Sequence, residues 1–148
     1  MSLLPRKALL AIAAVVDVAL NARDRPVSAK ALAARHALPP RHLEPVLQAL
    51  VHEGILRGVR GPHGGYALAR ERGHIGIDEI VSAAATVRDH DDGDAVASPL
   101  IADVVSPAVA EAERAFSGAL ARINVEDLAR RVEAAGPRAG SGEIDFTI

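Results

Sequence analysis

Between residues 28 and 66 the chain stops and restarts so often that few folds accommodate it. Ser28 reads as an N-cap for a helix from Ala29 to about His36, barely two turns long. Leu38-Pro39-Pro40 then makes a tight connection, because proline cannot continue a helix yet suits its first position, and a second helix follows from about Pro40 to Glu53. Leu43, Val46, Leu47 and Leu50 form the stripe it buries, and Gly54 stands where a left-handed C-cap is expected. Two short helices joined by a few residues make a helix-turn-helix. Ile55 to Arg60 and Tyr66 to Ala69 flank Gly61-Pro62-His63-Gly64-Gly65, which predicts strand, turn, strand. Gly64 and Gly65 are expected to supply conformations that side chains resist, and Pro62 to stiffen the turn.

A helix-turn-helix running straight into a hairpin with a basic tip is a winged helix. The flanks extend it. Leu9, Ile12, Val16, Ala19 and Leu20 give residues 6–21 a helical stripe, ended by Asn21, Asp24 and Pro26. Beyond the hairpin, Ile75, Ile77, Ile80, Val81 and Ala84 predict another helix finishing near Thr86, with Asp78 and Glu79 at its positive N-terminal end. Residues 88–98 are acidic and without period, and read as a solvated loop. Helical spacing resumes from Pro99 to about Ile123 through Leu100, Val104, Ala108, Ala112, Phe116, Ala119 and Leu120, with Pro107 either starting or kinking the longer segment. That stripe is larger than one helix needs for its own domain. A short link and a terminal helix follow, with Asn124 or Val125 near the cap and charges facing water. The expected division is a DNA-binding head in residues 1–86, an acidic loop in 87–98, a dimerisation helix and terminal helix in 99–135, and a flexible tail in 136–148. The fold class is mainly α with a small β-hairpin wing.

Composition supports this. With two Phe, one Tyr and no Trp among 148 residues that are 49% hydrophobic, the core must come from Ala, Val, Leu and Ile, which favours close helix packing. The absence of Cys excludes disulfides, thiolate nucleophiles and Cys-ligated metal sites. Asp17 interrupts the first apolar stretch and no cleavage site follows, so neither a signal peptide nor a membrane span is expected, and a cytoplasmic protein is implied. The net charge of −2 conceals an asymmetry: residues 1–75 hold 11 Lys and Arg against 5 acids, and the remainder 6 against 14. The first half is therefore suited to meet a polyanion.

Residues 27–70 resemble the DNA-binding half of the Rrf2 family of bacterial regulators. The similarity is carried by the two short helices and most specifically by Arg60-Gly61-Pro62-x-Gly64-Gly65-Tyr66, and extends weakly to Ile77-Asp78-Glu79-Ile80-Val81 and Asn124-Val125-Glu126-Asp127-Leu128. The resemblance implies a homodimer in which a long helix, here about 107–121, crosses its two-fold mate and brings two heads onto a palindromic operator. Cluster-binding relatives carry three Cys between the post-wing helix and the dimer helix; the matching window, residues 88–106, has none, so the resemblance implies a cysteine-free member without the iron-sulfur ligands.

In such a head the second helix enters the major groove, which nominates Arg41, His42 and Glu44 for base edges, Arg pairing with guanine and Glu accepting from a cytosine amino group. Pro45 removes a backbone donor there and puts the helix register in question. Arg60 is the candidate for a narrow minor groove, with His63 on the same tip. Arg6, Lys7, Ser28, Lys30 and Arg57 are candidate phosphate contacts. Val104, Ala108, Ala112, Phe116, Ala119 and Leu120 are the candidate dimerisation residues. His90 with Asp89, Asp91, Asp92 and Asp94 offers nitrogen and oxygen donors to a divalent ion, though acidic loop runs are usually just solvated, so no metal or cofactor is assigned. No nucleophile-base pairing or phosphate loop can be assembled, which argues against an enzyme. The expected function is sequence-specific transcriptional regulation, as a repressor on double-stranded DNA. The alternative is a winged-helix protein-interaction module without DNA binding. A small-molecule or protein effector would act through the loop and the dimer helix.

Overall fold

The computed structural model describes residues 3–88 and 98–136. The reading of residues 89–97 as a solvated loop or an ion site, and that of residues 137–148 as linker and tail, falls outside them. In chain order the elements are α1 (Arg6–Asn21), α2 (Ala29–Arg35), α3 (Pro40–His52), β1 (Leu56–Val59), β2 (Gly65–Leu68), a 3-10 turn (Arg72–His74), α4 (Ile77–Ala85), a π turn (Ile101–Val105) leading into α5 (Ser106–Ala121), and α6 (Val125–Ala135).

Helix α1 is the hub. It packs against α3, α4, α6 and β2, and buries Ala8, Ala11, Ala14, Val15, Val16 and Val18. A helix enclosed on several sides has no single stripe, and its alanines let neighbours approach closely. The expected stripe is corrected accordingly: Leu9 is exposed, and Ile12, Ala19 and Leu20 are only half-buried. In α2 the buried pair is Leu32 and Ala33, while Ala34 faces out. The α3 stripe of Leu43, Val46, Leu47 and Leu50 is fully buried.

Local chemistry sets the boundaries. Ser28 Oγ accepts a hydrogen bond from the Ala31 amide at 3.0 Å, capping α2. Gly54 adopts φ +73°, closing α3 in the left-handed conformation. Asn124 Oδ1 accepts from the Asp127 amide at 2.9 Å and Asp127 Oδ2 from the Asn124 amide at 3.0 Å, a reciprocal capping box that starts α6. The backbone of this cap is stitched to the entry of α4, Ile77 N donating to Ile123 O at 2.9 Å and Val125 N to Ile75 O at 3.0 Å. Val125 and Ala129 then bury α6 against the head. Its charges do not all simply face water, because Glu126 pairs with Arg72 of the 3-10 turn and with Arg130 at 3.0 Å.

β1 and β2 form an antiparallel hairpin in the register Leu56↔Leu68 to Val59↔Gly65. Val27 extends it by an isolated bridge, donating to Tyr66 O at 2.9 Å and accepting from Tyr66 N at 2.8 Å. This weld dictates one glycine. A Cβ on Gly65 would land on the Val27 carbonyl, and one on Gly64 on the Val59 carbonyl. Neither residue has positive φ; within the turn that belongs to Gly61, at +118°. The expected conformational role of Gly64 and Gly65 is thus replaced by close backbone approach. Gly65→Ala is expected to cost about 2 kcal/mol through overpacking, measurable as a lowered thermal midpoint, and an unchanged midpoint would show that the hairpin is not held this closely.

Pro107 stands in the first turn of α5, the place of a proline that starts a helix. Winding begins at residue 99, with Ser98 Oγ accepting from Ile101 N at 3.3 Å. It widens into the π turn, where Ser106 N bonds Ile101 O, and Pro107 lies just inside α5. The wider turn accommodates a residue that has no N–H to donate and whose ring crowds the preceding turn.

Candidate nucleic-acid interface

The outward face of α3 presents Arg41, His42 and Glu44, all exposed. The helix runs unbroken through Pro45, itself exposed, so the four buried residues hold the register that Pro45 puts in question. Glu44 lies toward the hairpin: burial, and then its carboxylate charge, raise the pKa of the Tyr66 phenol on β2. Arg57 projects from β1, while Arg60 and His63 occupy the turn, all three exposed. Among the described residues none of these side chains, nor those of Arg6 and Lys30, makes a hydrogen bond or ion pair. They are cations and polar groups without structural duty.

Two candidates differ. Ser28 spends its hydroxyl on the α2 cap. Lys7 is half-buried and donates from Nζ to the Val87 carbonyl at 2.7 Å, so its ammonium is held at the end of α4 rather than directed outward.

A buried group missed in the sequence organises the head. Asp17 is 6% exposed, the one buried charged residue among those described. Its carboxylate accepts from Arg35 Nε at 2.8 Å, Arg35 Nη2 at 2.7 Å, His36 Nε2 at 2.8 Å and Asn21 Nδ2 at 3.1 Å. Burial opposes its ionisation, but hydrogen bonds from His36 and Arg35, with the guanidinium charge, outweigh that and hold the carboxyl below its ordinary pKa. The cluster clamps the C-terminal end of α2 to α1 and thereby fixes the turn leading into α3.

Helix α5 buries no residue. Of the candidate dimerisation residues, Val104, Ala108, Ala112 and Ala119 are exposed, whereas Phe116 is half-buried and Leu120 packs on the head core. Beyond the expected residues, Leu100 (64% exposed), Ile101, Val105 and Val109 join Val104 (58%) in an apolar surface. Among the described residues no helix is long and apolar enough to cross a membrane.

Comparison with known proteins agrees with this architecture. A family model described as Rrf2, iron-dependent transcriptional regulator, matches residues 4–131. The chain belongs to the Rrf2 family. It is similar to the HTH-type transcriptional regulator IscR of Cronobacter sakazakii, 36% identical over 80 residues that make up 54% of this chain and 49% of that protein. IscR of Enterobacter matches equally. The chain thus spans about half the length of the curated relatives it matches. Among solved structures, T. potens IscR superimposes with a TM-score of 0.70 at 26% identity, covering 90% of each chain. CymR, described as the global cysteine regulator of B. subtilis, shares the fold with a TM-score of 0.65 at 21% identity, over 88% of this chain and 98% of that one.

The iron dependence in the Rrf2 description does not extend to a thiolate site in this chain. Without a single Cys, the chain cannot hold a thiolate-ligated iron centre. Among the described residues no group of three or more His, Asp or Glu is arranged to hold an ion instead. A centre of the thiolate type does not fit this Rrf2 member.

Proposed function

We propose that this Rrf2 protein is a sequence-specific DNA-binding regulator, acting in the cytoplasm as a homodimeric repressor on a palindromic operator. One observation carries the reading: Arg41, His42 and Glu44 on α3 and Arg57, Arg60 and His63 on the hairpin are exposed and, among the described residues, uncommitted, on two elements packed in one head. A helix sized for the major groove and a hairpin tipped by a planar cation are the two readers of a winged helix. The charge excess of residues 1–75 favours the same polyanion. The apolar surface around α5 supports a two-fold partner, and two-fold symmetry makes paired half-sites a geometric consequence. The division into a head over residues 1–86, an acidic loop over 87–98 and a dimer element from residue 99 belongs to the same proposal.

Selection of genomic fragments by the purified protein, read by sequencing, tests it. An inverted repeat is the expected product, and recovery without sequence preference contradicts the reading. On the repeat found, Arg60→Ala is expected to weaken binding by tenfold to hundredfold, about 1–3 kcal/mol. An unaltered affinity would remove the hairpin from the interface.

A further inference from the structure

We propose that the cleft between the α1–α2 connection and the hairpin turn is a phosphate site, occupied by a backbone phosphate of the bound duplex and anchored by Arg25. The inference rests on the DNA-binding reading above and adds a contact which the sequence motifs do not mark. The cleft, of about 450 Å³, is lined on one side by Asn21, Arg25, Ser28 and Arg35, and on the other by Pro62, His63 and Gly64 of the turn. Two guanidinium groups and an imidazole border it, and among the described residues no carboxylate does.

The cations are not equivalent. Arg35 directs Nε and Nη2 at Asp17, which fixes its plane and partly neutralises it. Arg25 is exposed, with no hydrogen bond or ion pair among the described residues, and supplies the uncompensated charge. The Val27–Tyr66 bridge holds the two walls together, so the cleft is preformed. The site is open and polar, suited to a group that enters with one face still in water, as a backbone phosphate does. Its position also decides the source. Its wall of Pro62, His63 and Gly64 belongs to the same turn as Arg60, and a duplex read by α3 in one groove and by the turn in the next must carry a sugar-phosphate strand between the two.

The test compares the full-length protein with its Arg25→Gln variant on the selected operator and on unrelated duplex, across a range of salt. Arg25→Gln is expected to weaken both by a similar factor of about 3 to 10, and to lower the slope of log affinity against log salt by about one unit, the signature of one lost phosphate contact. Thermal unfolding should be unchanged, because Arg25 makes no hydrogen bond or ion pair among the described residues. If wild type binds duplex and Arg25→Gln keeps its slope, this inference falls while the regulator reading stands. If wild type shows no salt-dependent duplex binding, the regulator reading fails and takes this site with it. Inorganic phosphate provides the other arm. If it shifts the His63 resonances of the free protein at millimolar levels, while duplex binding leaves Arg25→Gln and wild type alike, the cleft belongs to a small anion and the DNA source is overturned.

Discussion

Val104→Glu combined with Val109→Glu is expected to convert the protein to a monomer and to lower operator affinity by a hundredfold or more. Both side chains are exposed on the surface that continues through Leu100, Ile101 and Val105, so new charges there leave the fold of one protomer undisturbed. In a dimer they would place like charges across a dry seam, where unpaired carboxylates are strongly disfavoured. The affinity loss follows from linkage of two heads: once one half-site is held, the second binds at high effective concentration, and breaking the link forfeits two to four orders of magnitude without touching a DNA contact. Sedimentation and titration with operator and half-operator duplexes check this. A double variant that stays dimeric, or a monomer that binds as tightly as wild type, would remove α5 from the proposed assembly.

Asp17→Ala carries the largest expected effect on stability, about 3 kcal/mol, at the lower end for breaking a buried ion pair. That end applies because Arg35 and His36 keep 30% and 20% side-chain exposure and can be partly rehydrated once the carboxylate is gone. The acid dependence has a definite sign. A carboxyl whose pKa is depressed by folding contributes stability above its unfolded pKa and loses it as pH falls through the lower folded value. The gap in unfolding free energy between wild type and Asp17→Asn should therefore be full at neutral pH and close in strong acid. Denaturant titrations across that range measure it, and a gap independent of pH would mean that the Asp17 charge does not stabilise the fold. Operator binding should weaken too, since α2 loses its clamp to α1.

Much of the fold is legible wherever a residue acts on its immediate neighbours. Ser28, Gly54 and Asn124 announce their boundaries because a cap or a left-handed turn is a local event, and α3 reveals its stripe because only one side of it meets the core. Helix α1 misleads for the opposite reason: it is enclosed, and the pattern of Leu9, Ile12 and Val16 describes a surface helix that it is not. Asp17 reads as an interruption of an apolar run because its partners, Arg35 and His36, lie 18 and 19 residues away. Arg25 is silent in sequence for a similar reason, since its cleft exists only once the hairpin folds against residue 27. Gly64 and Gly65 are recognisable as required, but the requirement is spatial rather than conformational.

The outer side of α3 has a consequence for descent. Leu43, Val46, Leu47 and Leu50 hold the helix in place, while Arg41, His42 and Glu44 between and beside them make no hydrogen bond or ion pair among the described residues. If α3 reads DNA as proposed, exchanging those three would alter what is recognised without taxing the scaffold, and lineages carrying this head would be free to drift from one set of target genes to another by a few substitutions while the core that presents them stays the same.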